Sequence, residues 1–268
     1  MPYAEHPSAG DLPPEDTVIW RFMNLAKFLS LITKSSLHFA QASLLKMADP
    51  FEGSLGLPNR VFREKLLSDE EFARVFFQIP PDQKLPANLG DVFSVGHTRR
   101  MNDIFRATVY INCWHTRDHE TAFLWSNYAS NIDGVAVKST VGRLRASISE
   151  VKRPIYIGPV RYIDYQTEAI QENNAFNPYF LKRKSFEPEQ ELRAVFHHLL
   201  DGVGWSERAL EDNPPGVLIP CNLTDLVEEI VVSPLTPDWY LELVSETLSA
   251  IGVQLHVTRS TIADPAIF

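Results

Sequence analysis

Apolar residues alternating at a two-residue period recur in short runs along this chain, and helical patterns interrupt them only irregularly. A strand buried on one face requires that period, because successive side chains leave a sheet on opposite faces. Runs of this kind cover residues 18–22, 36–40, 107–114, 134–138, 155–157, 160–165, 191–197, 217–220, 230–232 and 253–258. Helical spacing is confined to fewer segments. Leu25, Phe28, Leu29 and Ile32 follow a capping Asn24; Leu66, Leu67, Phe72 and Phe76 mark residues 60–77. Asp118 is placed to cap a helix to about residue 130, with Thr121, Leu124, Trp125 and Tyr128 on one stripe, and residues 238–251 form another helix. The Pro- and Gly-rich stretch 79–96 reads as a loop, and Asp49-Pro50-Phe51-Glu52-Gly53 as a turn. Strands outnumber helices without βαβ alternation. That pattern predicts an α+β fold, with mixed, largely antiparallel sheets, flanking helices and a single domain over residues 17–268 behind a flexible leader at 1–16.

Composition narrows the function classes. The chain has 268 residues, enough to bury a large core, and no apolar run reaches the roughly 20 residues of a membrane helix. Its first residues are acidic and Pro-rich, unlike a signal peptide. Cys113 and Cys221 sit beside apolar residues and read as buried thiols, so a cytoplasmic location is expected. The net charge of −9 is unevenly spread. From His97 to Arg193 there are 14 Lys and Arg against 11 Asp and Glu, while the remainder is strongly acidic. That balance does not indicate a nucleic-acid binder, which usually spreads basic surface widely.

Three constellations carry polar chemistry. Residues 113–120 hold Cys113, His115, His119 and Glu120 and run into Trp125 and Tyr128. The His pair has metal-ligand spacing only if a helix carries both, and here a strand end meets a helix start, so no metal site is expected. Residues 182–193 place Lys182, Arg183 and Lys184 before Glu187, Glu189 and Glu191. Carboxylates at alternate extended positions share a face, where mutual repulsion would raise the pKa of at least one of them. Finally, Arg21 is a lone cation inside an apolar strand, which calls for a partner such as Asp49 or Glu52, or for a bound anion. No Gly-rich phosphate loop, G-x-S-x-G or H-E-x-x-H is present.

Taken in order, Trp20-Arg21-Phe22, Leu37-His38-Phe39, Asp49-Pro50-Phe51-Glu52, Cys113-Trp114-His115, Trp125-x-x-Tyr128, Gly134-Val135-Ala136-Val137, Val160-Arg161-Tyr162, Lys182, Phe186-Glu187-x-Glu189-x-Glu191-x-Arg193 and Ile230-Val231-Val232-Ser233-Pro234 resemble the bacterial domain-of-unknown-function family 2971, over most of the chain. Ala48 stands where that pattern has Asn before Asp-Pro-Phe-Glu. More distantly, the chain resembles ADP-ribosyltransferase-like domains, with Arg21 on a first strand, Ser139 and Thr140 after a middle strand, and Glu189-x-Glu191 late. That likeness implies NAD as substrate. Arg21 and Lys182 would hold it, Trp125 or Tyr128 would stack on the nicotinamide, and Ser139, Thr140, Glu189 and Glu191 would act on the ribose. It also implies a toxin or defence role. Two other readings stand beside it. One is a non-catalytic module binding a phosphate-bearing ligand or protein partner through Arg143, Arg145, Lys152, Arg153, Lys182, Arg183 and Lys184. The other is a metal-dependent hydrolase or nuclease using His115, His119 and Glu120.

Overall fold

Strand pairing sets the architecture in the computed structural model, which describes residues 7–129, 132–198 and 206–268. The strands are β1 (Val18–Asn24), β2 (Ser36–Gln41), β3 (Val109–Thr116), β4 (Gly134–Thr140), β5 (Tyr156–Pro159), β6 (Arg161–Ile163), β7 (Leu181–Arg183), β8 (Glu191–His197), β9 (Gly216–Pro220), β10 (Glu229–Val232) and β11 (Val257–Arg259). Among the described residues, nine of them form one mixed, mostly antiparallel sheet, and β6 and β7 pair separately. One path through the sheet runs β11-β10-β4-β1-β3-β2-β9, while β8 lies on the other edge of β3 with β5 beyond it. The fold is therefore α+β, with helices packed on the sheet.

The centre of the sheet is split. Strand β8 pairs with β3 from Val109 to His115, occupying one whole edge of β3. On the opposite edge β1 reaches only His115 and Thr116, and β2 reaches only Tyr110 and Ile111. Between those contacts Asn112, Cys113 and Trp114 face a slot where β1 and β2 diverge. The helix Leu25–Lys34 joins β1 to β2 and begins at Asn24, whose side chain accepts from the Lys27 amide as the sequence predicts.

The sheet buries both faces, and period-two alternation decides which side chain goes where. Ile19, Met23, Tyr110, Trp114, Val137, Leu192, Ala194 and Phe196 enter the larger core. Trp20, Phe22, Trp125 and Ala136 enter a second cluster, and Val109, Ile111 and Val195 a third. The strand periods at 18–22, 36–40, 134–138 and 191–197 are all realised as strands.

Other expectations are corrected. Residues 60–77 are two helices, Leu57–Ser68 and Glu70–Phe77, because the Asp69 side chain accepts from the Phe72 amide and restarts the chain. The stretch read as a loop ends in the helix Val95–Thr108, capped by Ser94, so β3 starts at Val109 rather than Ala107. Thr121 rather than Asp118 caps the next helix, Ala122–Tyr128; Ser130 lies outside the described residues. The described part of the leader is packed. Ala9 is buried, and Glu15 pairs with Arg145 at 2.7 Å. A Cβ on Gly158 of β5 would lie 2.0 Å from the Ala9 carbonyl oxygen. Gly158→Ala is therefore expected to lose about 1–3 kcal/mol in urea denaturation by displacing this segment.

Candidate functional site

Register places the polar side chains. Trp20 of β1 lies opposite His115 of β3, and His115 lies opposite Glu191 of β8, so these three residues form one row across adjacent antiparallel strands. Residues directly opposite one another project to the same face. Cys113 and Arg193 form the next row of that face, two residues along. Arg21, one residue from Trp20, projects to the opposite face with Val137 and the larger core.

The face carrying Glu191 holds a buried ionic seam. Arg193, 1% exposed, donates through both terminal nitrogens to the two oxygens of Glu52 at 2.7 and 2.9 Å. Its Nε reaches Glu191 at 3.0 Å and its Nη1 also reaches the Tyr179 carbonyl at 2.8 Å. Lys182 lies 3.6 Å from Glu191 and donates to Glu189. Burial alone would lower the Arg193 pKa, but Glu191 and Glu52 raise it well above the usual guanidinium range. Burial alone would likewise raise Glu191, yet Arg193, Lys182 and His115 bring it down to about 2. Glu52 is raised by burial against the pull of Arg193. Because both its oxygens accept from the guanidinium, it is present as the carboxylate.

His115 completes the seam without adding charge. Its Nδ1 lies 2.9 Å from the Glu189 carbonyl, and burial lowers its pKa, so the ring is neutral near pH 7. The Tyr128 ring stands 4.6 Å from it. Burial raises the Tyr128 phenol and the charges of Glu189 and Glu191 raise it further, so it stays protonated. Tyr162 accepts from the Glu191 amide through its hydroxyl at 2.8 Å. Three carboxylates facing two cations leave the seam one negative charge in excess. Such a site favours a cation or a developing positive charge.

The sequence-nominated residues thus separate. Glu189, Glu191, Lys182 and Tyr128 come together. Trp125 is fully buried, edge-on to Phe22 and donating to Glu120 at 2.7 Å, so its ring has no free face for a ligand. Ser139 is buried and donates to the Leu226 carbonyl, and Thr140 caps the helix Val141–Ser147. Arg21 lies in the slot between β1 and β2, where Nη2 reaches the His38 carbonyl at 3.3 Å and Nη1 has no partner. Asn112 donates to the same carbonyl at 2.8 Å. Burial lowers the Arg21 pKa to about 10. Neither anticipated partner serves it: Asp49 pairs with Arg183 at 2.7 Å and Glu52 with Arg193.

The cations nominated for a phosphate-bearing ligand are also dispersed among local partners. Arg143 donates to the Thr224 and Val227 carbonyls, Arg145 to Glu15, and Arg153 to His198. His119 is exposed beside Asp118 while His115 is buried, so the pair shares no face. Among the described residues no group of three or more His, Cys, Asp or Glu side chains is placed to hold a metal. Cys113 and Cys221 are free thiols; burial pushes Cys221 up to about 12 and Cys113 higher. Neither is a ready nucleophile. No helix among the described residues is long and apolar enough to cross a membrane. Glu52 and His115 are the seam members that sequence reasoning did not assign to the Glu191 site.

No family model matches the chain, and no curated protein matches it. Its likeness to domain-of-unknown-function family 2971 remains a resemblance. Among solved structures the chain is similar to Thermus sp. 2.9 DarT in complex with ADP-ribosylated ssDNA, at 12% identity and a TM-score of 0.39, covering 93% of this chain and 97% of that one. A likeness of that size carries no argument about the site.

Proposed function

We propose that the protein is an ADP-ribosyltransferase-like enzyme that consumes NAD, with its reaction centre at the Glu191 seam. The observation that carries this reading is the ionised Glu191 carboxylate, held on the row Trp20–His115–Glu191 within a seam carrying one excess negative charge. Cleavage of the bond between nicotinamide and ribose develops positive charge on the sugar, and a fixed carboxylate stabilises it without reorganising. Glu191 takes that role, and it also accepts a hydrogen bond from a ribose hydroxyl. Lys182 and Arg193 keep the carboxylate charged and in place, while the half-buried Tyr128 sets its ring against His115. Arg21, Ser139 and Thr140 have no part in this centre.

The test is incubation of the full chain with NAD and chromatographic measurement of nicotinamide. Release is expected from the wild type, and Glu191→Gln should slow it by roughly 100-fold or more. A melting curve for that variant separates lost chemistry from lost folding. Arg21→Gln should retain most of the release. An inert wild type, or Glu191→Gln as active as wild type, ends the reading.

A further inference from the structure

A cavity remote from the Glu191 row gathers positive charge in a protein whose overall charge is strongly negative. It has a volume of about 330 Å³ and lies between the helices Leu57–Ser68 and Val95–Thr108, beside the 50–56 turn. Its charged lining is Lys46, Arg60, Arg63, Arg99 and Arg106 against a single acid, Asp103. Two of these cations are fixed in the wall. Arg106, 5% exposed, donates to the Glu52 and Gly53 carbonyls and to Asp103, and Arg63 is forked onto Glu172. The others are available. Lys46 and Arg60 make exposed pairs with Asp103 and Glu64, of a kind that contributes little and exchanges readily. Arg99 makes no hydrogen bond or ion pair among the described residues. Counting Glu64 and Glu172 as partners still leaves cations in excess. The start of the helix Leu57–Ser68 borders the cavity at Gly56, where no side chain caps it, and this adds the partial positive charge of a helix N-terminus.

We infer that this cavity binds the phosphate groups of a small phosphate-bearing molecule. Guanidinium forks from two helices match the tetrahedral oxygens of phosphate, and a volume of this size holds a diphosphate but no large apolar ligand. The site is independent of the NAD reading. It also differs from the cations that the sequence nominated, since none of the seven from Arg143 to Lys184 lines it.

Isothermal titration of the full chain with inorganic pyrophosphate and with inorganic phosphate tests it, with sodium chloride at matched ionic strength as blank. Saturable binding to one site is expected, tighter for pyrophosphate and weakening as salt rises. Removing two cations together, Arg60→Gln with Arg99→Gln, should weaken it about tenfold or more. Asp103→Asn removes the one opposing charge and should tighten it, a gain that misfolding does not mimic. Glu191→Gln should bind as wild type does, even if it abolishes nicotinamide release. Absence of saturable heat, or affinity unchanged in both cavity variants, overturns the inference.

Discussion

Replacing Arg193 by leucine should lower the stability of the protein by about 3–5 kcal/mol, because it leaves two carboxylates buried without their counter-ion. Glu52 and Glu191 are 2% and 4% exposed. Lys182 lies 3.6 Å from Glu191 and compensates one of them in part; Glu52 has no other cation within ion-pair distance among the described residues. Tyr179 also loses the donor to its carbonyl. Urea denaturation reads the loss directly, and in a thermal melt it corresponds to a melting temperature lower by roughly 6–20 °C. Arg193→Lys keeps the charge but not the fork, so it should fall between wild type and leucine. The double variant Glu52→Leu with Arg193→Leu removes both members of the pair and should lose less than the two single losses added together. If Arg193→Leu stays within about 1 kcal/mol of wild type, the seam is not the electrostatic anchor described above.

Much of the framework was legible because it rests on local rules. The strand at 191–197 alternates, with Leu192, Ala194 and Phe196 on one face, and it forms over those residues. Asn24 caps its helix because the side-chain geometry of a cap is local. The helix Val95–Thr108 was hidden for a converse reason. Its first turns expose Gly96, His97, Arg99 and Arg100, so it opens as a polar sequence with a glycine in second place inside a loop-like stretch. Its burial stripe is short, confined to Ile104 and the residues after it.

The site was legible only in pieces. Glu189, Glu191 and Arg193 stand close together in sequence, but the rise that carboxylate spacing predicts is not found at Glu191, which, against burial, Arg193 and Lys182 bring down to about 2. Glu52 meets Arg193 across 141 residues; the sequence offered it as a counter-ion to Arg21, and nothing in the turn Asp49–Gly53 pointed to Arg193 instead. Alternation placed Arg21 opposite Trp20 and Phe22 on its own strand. Whether Glu191 shared the face of Arg21 or of Trp20 depended on β3 lying between β1 and β8 in a particular register. A shift of one residue in either pairing would have reversed the outcome. The cavity cations were unreadable for the same reason, since Lys46, Arg60 and Arg99 converge only when three separate segments pack.

Acidification should destabilise the protein well before its carboxylates titrate, through histidines held neutral in the fold. His197 lies at the end of β8, with its Nε2 3.2 Å from the Thr108 hydroxyl and its ring edge-on to Phe176. Burial lowers its pKa from 6.5 to about 4. Burial also lowers His115, His38 and His198, with Arg21 adding to the effect at His38 and Arg153 at His198. The unfolded chain binds a proton at each such site below pH 6.5 while the folded chain refuses it. Stability is therefore complete above the unfolded value and is lost as pH falls toward the folded one. His197 is partly exposed, which reduces the nominal effect to about 2 kcal/mol, lost between roughly pH 6.5 and 4. Glu191 acts in a lower window: with its pKa held at about 2, its contribution persists above pH 4.5 and disappears only below that. Urea denaturation at pH 7.5, 6 and 5 should show wild type losing stability steadily. His197→Gln keeps a polar partner for Thr108 but cannot titrate, so by pH 5 it should have lost about 1 kcal/mol less than wild type. Parallel losses in the two proteins would mean that His197 is protonated in the folded state at no cost, and the acid sensitivity would then belong to the other three histidines.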